Sequence, residues 1–124
     1  MMSPQDLRLY HNPRCSKSRG LLQHLQALGL QPEIVLYLEQ PPSIDEMQAL
    51  LAKLGLPARD VIRRDEALYR ELGLDDPTLG EMALIQAMVE HPRLIQRPIL
   101  ESAQLAVIGR PQEAADALLA ALPR

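Results

Sequence analysis

Cys15 is the single cysteine among 124 residues and the strongest nucleophile the chain contains. A thiol attacks as its thiolate, and cations or a helix N-terminus lower its pKa. Arg14, Lys17 and Arg19 lie within four residues of it, and His11 is four residues upstream. The net charge of -3 conceals this local balance. From Leu7 to Pro32 there is no Asp or Glu, yet Arg8, Arg14, Lys17 and Arg19 all fall in that stretch. From Glu33 onward, nine basic residues stand against fifteen acidic ones. One reading is chance clustering or a solvated face. The sharper reading is a positive field that draws an anion toward Cys15. A lone cysteine is more often a small buried hydrophobe than a nucleophile. A position at a loop–helix junction, among cations, points the other way.

The same residues exclude several chemistries. A cysteine phosphatase loop requires Arg six residues after the Cys, where Leu21 stands. A Cys-x-x-Cys dithiol requires a second Cys at Ser18, so any oxidised intermediate must be resolved by an external thiol. One cysteine and three histidines (His11, His24, His91) do not make the usual structural zinc site, and no metal is expected. His24 and His91 read as structural. The six glycines are scattered, so no phosphate-cradling loop forms, and no base with an orienting partner can be placed for a cysteine protease. With three Tyr and no Phe or Trp, base stacking is an improbable mode of binding, and no nucleic-acid partner is expected. The longest apolar run, Ala117–Leu122, is far short of a membrane span. The first ten residues lack the apolar core of a secretory signal, so a cytoplasmic location is expected. What remains is a monothiol nucleophile in surroundings that favour an anion.

The elements that must position Cys15 follow from periodicity. Leu7–Tyr10 alternates and runs into the turn signal Asn12-Pro13, which predicts a short strand and then a loop to Cys15. From Ser16 the pattern is helical, with Leu21, Leu22, Leu25 and Leu28 on one face and Gly29 as the stop. Ile34–Leu38 is a five-residue apolar run of strand length, closed by Pro41-Pro42. Ser43 and Glu46 form a capping-box pattern ahead of a helix that carries Ile44, Met47, Leu50, Leu51 and Leu54 on one face and stops at Gly55. Pro57 predicts a short helix through Arg64. A further helix carries Met82, Ile85, Met88 and Val89 to His91-Pro92, with its methionines, like Met47, in core packing. Pro98–Leu100 and Leu105–Ile108 read as a hairpin turning near Ser102. Gly109-Arg110-Pro111 then opens a last helix that turns Ala114, Ala115, Leu118, Leu119 and Leu122 inward. The order is βαβ, a helical block over about residues 40–92, then ββα. It predicts an α/β chain with a thioredoxin-like fold carrying a helical insertion between the second and third strands, in one domain over residues 1–124. Such a fold delivers the thiol to a helix N-terminus, where unpaired N–H groups favour the thiolate.

The block His11-Asn12-Pro13-Arg14-Cys15-Ser16-Lys17-Ser18-Arg19 resembles the signature of the glutaredoxin- and glutathione-dependent arsenate reductase (ArsC) family. The likeness continues in order through Tyr37–Pro42, Ile62-Arg63-Arg64, His91-Pro92, Gln96–Ile99 and Gly109-Arg110-Pro111, and is to the shorter members. The resemblance implies that Cys15 attacks arsenate, that glutathione joins the adduct as co-substrate, and that glutaredoxin completes the reduction to arsenite. It implies no tightly bound cofactor, no membrane partner and a monomer. Arg63, Arg97 and Arg110 match the family's oxyanion-binding arginines, and paired guanidinium donors suit a multiply charged oxyanion. Register assigns Arg63 over Arg64, because the family arginine follows two aliphatic residues, matched by Val61-Ile62. His11 matches the histidine that supports the thiolate. Asn12 and Ser18 are candidates to bond the sulfur or shape the loop, and Arg97–Pro98 is expected to be a cis peptide. Ser16-Lys17 stands where well-studied members have Gly-Thr, which adds a charge beside the anion pocket. Two alternatives stay open: an Spx-like regulator that binds RNA polymerase, for which Ser18 replaces the usual second cysteine, and a monothiol oxidoreductase acting on another small substrate.

Overall fold

The computed structural model describes residues 6–110 and 112–122. It contains two compact units, Met1–Gln40 with Arg97–Arg124, and Pro41–Gln96.

The first unit holds strands β1 (Arg8–Tyr10), β2 (Glu33–Val35), β3 (Ile99–Glu101) and β4 (Ala106–Ile108), with helices α1 (Ser16–Ala27) and α5 (Glu113–Ala120). The sheet order is β2-β1-β3-β4, with β1 and β2 parallel and the other neighbours antiparallel. Parallel pairing of β1 with β2 requires a crossover, and α1 is that crossover. Leu9 opposes Leu100 in register, and on their face they meet Leu21 and Leu25 of α1 and Ala115 and Leu118 of α5. The core is therefore aliphatic. On the alternate face the buried Glu101 carboxylate accepts from Tyr10 Oη at 3.1 Å and from Arg8 at 3.3 Å. Burial, with the Glu101 charge second, pushes the Tyr10 hydroxyl up to about 12. His24 Nε2 meets an Asp116 carboxylate oxygen at 2.6 Å and ties α1 to α5, a structural role as expected. The hairpin turn is held by Ser102, whose N–H donates to the Leu105 carbonyl at 2.7 Å.

The second unit comprises α2 (Ile44–Leu54), α3 (Ala67–Glu71), α4 (Glu81–Glu90) and 3₁₀ turns at Ala58–Asp60 and Pro92–Leu94. The capping box at α2 is closed from both sides: Glu46 N–H donates to Ser43 Oγ at 3.1 Å, and Ser43 N–H to the Glu46 carboxylate at 3.1 Å. Met47, Leu50 and Leu51 are buried from α2, and Leu84, Ile85, Ala87 and Met88 from α4.

Several expectations needed correction. Leu28 is 53% exposed, because α1 ends in a Schellman motif. Gly29 N–H donates to the Gln26 carbonyl and Leu30 N–H to the Leu25 carbonyl, which turns Leu30 rather than Leu28 onto the core. The second strand stops at Val35, since Glu39 and Gln40 both donate to the Leu36 carbonyl and fold the rest of the apolar run into a turn. Residues after Pro57 form a 3₁₀ turn, not a helix reaching Arg64. The short helix α3 was not foreseen. Met82 is 49% exposed, one residue into α4, while Leu84 takes the inward place. Pro111 lies outside the described residues, and α5 starts at Glu113.

Candidate active site

Cys15 is the N-cap of α1, with extended backbone (φ -96°, ψ 122°). Its N–H donates to the Asn12 carbonyl at 3.0 Å, and its carbonyl accepts from Arg19 N–H at 3.0 Å, starting the helix. Serine or aspartate at such a position accepts from the N–H groups two and three residues on. Here those donors belong to Lys17 and Ser18. Partial burial raises the thiol pKa, but the Ser18 and Lys17 N–H groups, the Arg97 charge and a hydrogen bond from the Arg97 side chain outweigh it. The net result is a thiol held below its ordinary range. In neutral form the side chain closes no capping hydrogen bond; the anion is what the donors favour.

The loop before Cys15 is held by its own polar groups. Ser18 is fully buried, and its Oγ shares a 2.6 Å hydrogen bond with His11 Nδ1 while accepting from Asn12 N–H at 3.0 Å. Asn12 Oδ1 accepts from Arg14 N–H at 3.0 Å. Arg19 donates to the Pro13 carbonyl at 2.9 Å. His11 is anchored to the sheet through its N–H, which donates to the Val35 carbonyl at 2.9 Å. Burial first, and the Arg19 charge second, push the imidazole below its usual range, so it is neutral at neutral pH. Of the two options for Asn12 and Ser18, their side chains shape the loop; it is the Ser18 backbone that favours the thiolate.

The cation at the sulfur is Arg97, 82 positions along the chain, where the sequence pattern pointed to the neighbours Arg14, Lys17 and Arg19. Lys17 contributes there through its backbone N–H. The Arg97–Pro98 peptide is cis, as expected. Pro98 is buried, and its carbonyl accepts from Gly109 N–H at 2.9 Å, which fixes the start of the segment carrying Arg110. A Cβ on Gly109 would come within 2.5 Å of Leu21 Cδ2, so a side chain in this position would require the buried Leu21 to shift. Arg110 is exposed and lines a cleft of about 660 Å³ with Ser16, Lys17, Gln112 and Glu113. Sequence reasoning missed Gln112 and Glu113, which no motif marks.

Arg63 belongs to the second unit. The buried pair Val61-Ile62 sets its place: Ile62 bridges Ile95, Gln96 N–H donates to the Val61 carbonyl, and Arg63 N–H donates to the Leu94 carbonyl at 2.7 Å. Its guanidinium meets Glu66 at 3.3 Å and Asp65 at 3.6 Å, and its Nε is buried with no hydrogen-bond partner. Arg64, in contrast, is exposed and pairs with Asp60 at 3.6 Å. Among the described residues no cluster of three or more His, Cys, Asp or Glu could hold a metal, and no helix is long and apolar enough to cross a membrane.

The sheet order, the thiol at the N-terminus of α1 and the cis-proline before β3 define a thioredoxin-fold protein with its single cysteine at that helix start. The sequence pattern of the ArsC family matches residues 10–118, and the chain belongs to that family. It is 44% identical over 115 residues to the arsenate reductase of Neisseria meningitidis, covering 92% of this chain and 98% of the relative. It is 50% identical over 110 residues to the uncharacterized protein YfgD of Escherichia coli, covering 88% and 92%. Among solved structures, the arsenate reductase from Vibrio cholerae superposes with a TM-score of 0.86 at 43% identity, over 90% of this chain and 96% of that one.

Proposed function

We propose that this chain reduces arsenate to arsenite through a covalent Cys15 adduct, with glutathione and glutaredoxin as external reductants. The observation that carries the reading is the place of Cys15 as the N-cap of α1, where the Ser18 and Lys17 N–H groups and Arg97 favour its thiolate. The 44% identity to a relative named arsenate reductase supports the choice of substrate. The Cys15 thiolate attacks the arsenic(V) centre, and one oxygen leaves as water after taking up protons. The glutathione thiol then displaces a second oxygen, leaving arsenic bonded to both sulfurs. A glutaredoxin thiolate attacks the glutathione sulfur. The As–S pair of electrons stays on arsenic, reducing it to the trivalent state, and the two reductants leave as a mixed disulfide. Hydrolysis of the remaining As–S bond releases arsenite and regenerates Cys15.

In this scheme Arg97 and Arg110 bind the oxyanion, for which several charge-assisted donors are needed, and Arg63 is given the same role by the family resemblance alone. His11, Asn12, Ser18 and Pro98 are positioning residues. Neutral His11 leaves the loop without a further charge, so the thiolate is set by N–H donors and Arg97. Thiols supply both electrons, so no resident cofactor is required, and the supply of glutathione fits a cytoplasmic location. The test is arsenite formation by the purified chain with arsenate, glutathione and glutaredoxin. Turnover should fall to background in Cys15→Ser, a loss of about a thousandfold or more as expected when a covalent nucleophile is removed. Arsenite formation no greater in the native chain than in Cys15→Ser would overturn the reading.

A further inference from the structure

Two carboxylates face the Arg63 guanidinium within the second unit, and they are unlike. The Glu66 side chain is 15% exposed and the Asp65 side chain 77%. Glu66 Oε2 lies 3.3 Å from Arg63 Nη1, while Asp65 Oδ2 reaches Nη2 only at 3.6 Å. The other oxygen of Glu66, Oε1, accepts from Arg93 Nε at 2.9 Å and also from Arg93 Nη2. One largely buried carboxylate thus bridges two guanidinium groups. It is held there although Glu66 is the N-cap of α3, and its side chain accepts nothing from that helix. Arg63 Nη1 also donates to the Arg93 carbonyl at 3.4 Å, and Arg63 N–H to the Leu94 carbonyl at 2.7 Å.

What these contacts leave of Arg63 is one edge. In a planar guanidinium, Nε–H and one N–H of Nη2 point the same way, a fork that takes two oxygens of an oxyanion. Arg63 Nε is buried with no hydrogen-bond partner, and Nη2 meets only the exposed Asp65. A buried donor without an acceptor is costly, and an oxyanion oxygen on that edge would supply one. We propose that Glu66 and Arg93 are positioning residues that pin Nη1, so that Arg63 offers its Nε–Nη2 edge to the oxyanion. Asp65 is the carboxylate that the oxyanion displaces from Nη2. The inference rests on the proposed function for the part of Arg63 in oxyanion binding, but it is read without turnover.

Positioning and charge act in opposite directions here. A carboxylate 3.3 Å from Arg63 repels an anion bound to the same guanidinium, so by charge alone its neutralisation strengthens binding. If Glu66 positions Arg63, neutralisation weakens binding instead. Gln has one acceptor oxygen where Glu has two, so it can serve one arginine and must turn its NH₂ group toward the other. Arg93 presents the same distinction with its charge retained. Lys at that place keeps the cation but loses the fork that grips Glu66 Oε1.

The experiment titrates arsenate into ¹⁵N-arginine-labelled Cys15→Ser, which forms no covalent adduct. It follows the Arg63 Nε–H signal, assigned by its loss in Arg63→Lys. A saturable shift of that signal is expected. In this background Glu66→Gln should weaken arsenate binding about tenfold, as the loss of one charge-assisted contact does. Asp65→Asn should strengthen it about twofold, the effect of removing an exposed like charge. Arg93→Lys should weaken it several-fold, and it decides alone if Glu66→Gln loses the native amide spectrum. In turnover, with Cys15 restored, Glu66→Gln should raise the arsenate KM and leave kcat little changed. An Arg63 signal that ignores arsenate would overturn the proposal, as would an affinity undiminished in Glu66→Gln or in Arg93→Lys. Weaker binding in Asp65→Asn would overturn the displacement of Asp65. Arsenate that binds in this way but is never reduced would overturn the reduction reading alone and leave the positioning of Arg63 standing.

Discussion

Two helices in this chain begin with similar backbone and different caps. At α2, Ser43 (φ -72°, ψ 170°) accepts from the Glu46 N–H, and Glu46 reaches back to Ser43 N–H. At α1, Cys15 (φ -96°, ψ 122°) has the same kind of backbone, but its neutral side chain closes no such bond. The donors of Lys17 and Ser18 are left to favour the thiolate instead. The first arrangement spends its N–H groups on stability; the second keeps them for an anion. α1 also has no acidic residue in its first turn, where α2 has Asp45 and Glu46. A carboxylate there would interact favourably with the helix dipole but would repel a thiolate at Cys15.

The loop ahead of Cys15 compensates for the missing cap, and removing that compensation has the largest expected effect on stability. Ser18→Ala takes the hydroxyl from buried His11 Nδ1 and from Asn12 N–H at once. Stability should fall by about 1–3 kcal/mol, the cost of leaving buried polar groups unpaired. Urea denaturation reads this directly. An unchanged midpoint would mean that the loop does not depend on the serine and that the uncapped start needs no support.

A smaller effect separates the two helix starts. Ser43→Ala should cost about 1 kcal/mol, the usual loss for an N-cap hydroxyl, at every pH near neutrality. Cys15→Ser should do the opposite at α1, adding a neutral cap and raising stability by a fraction of that amount. It should also abolish a pH dependence. The folded thiol pKa is depressed, so between that value and the ordinary thiol range the unfolded chain holds a proton that the folded chain has lost. The Cys15 contribution is fully present above the ordinary thiol pKa and is lost as pH falls through the folded value. If native chain and Cys15→Ser show the same slope of stability with pH across this window, the contrast between the caps fails.

Much of this arrangement was legible in the residues. Ser43 and Glu46 announce the capping box, and Asn12-Pro13 ahead of a leucine periodicity announces a thiol at a helix start. These features are local, and local rules read them. The remainder depends on chain segments meeting across the fold. Arg97 reaches the sulfur because β3 pairs antiparallel with β1, a neighbour relation that charge counting near Cys15 does not contain. Leu28 fits the apolar face of α1 by periodicity, yet the positive φ of Gly29 (80°) swings Leu30 inward in its place. The cleft wall at Gln112 and Glu113 likewise has no signature, since a groove is made by the approach of α1 and the segment before α5.

The smallest expected effect tests whether Arg97 or the helix start does more for the thiolate. Burial opposes ionisation, the N–H groups of Ser18 and Lys17 are the larger favourable causes, and Arg97 follows. Arg97→Gln keeps a polar side chain next to the cis-proline but removes the charge. The thiol pKa should then rise, though not to that of a buried thiol with no donors. At neutral pH a smaller fraction of Cys15 is thiolate, so alkylation by iodoacetamide should slow several-fold. Above the ordinary thiol range both proteins are fully ionised, and the two rates should converge. Stability at neutral pH should change little, because Arg97 is half-buried and Gln retains hydrogen-bonding capacity. A rate profile that does not move with Arg97→Gln would assign the depressed pKa to the α1 N–H groups alone. A profile that rises above the free-thiol range, to that of a buried thiol without donors, would mean that the helix start contributes nothing, and that Cys15 and Ser43 differ in side chain only.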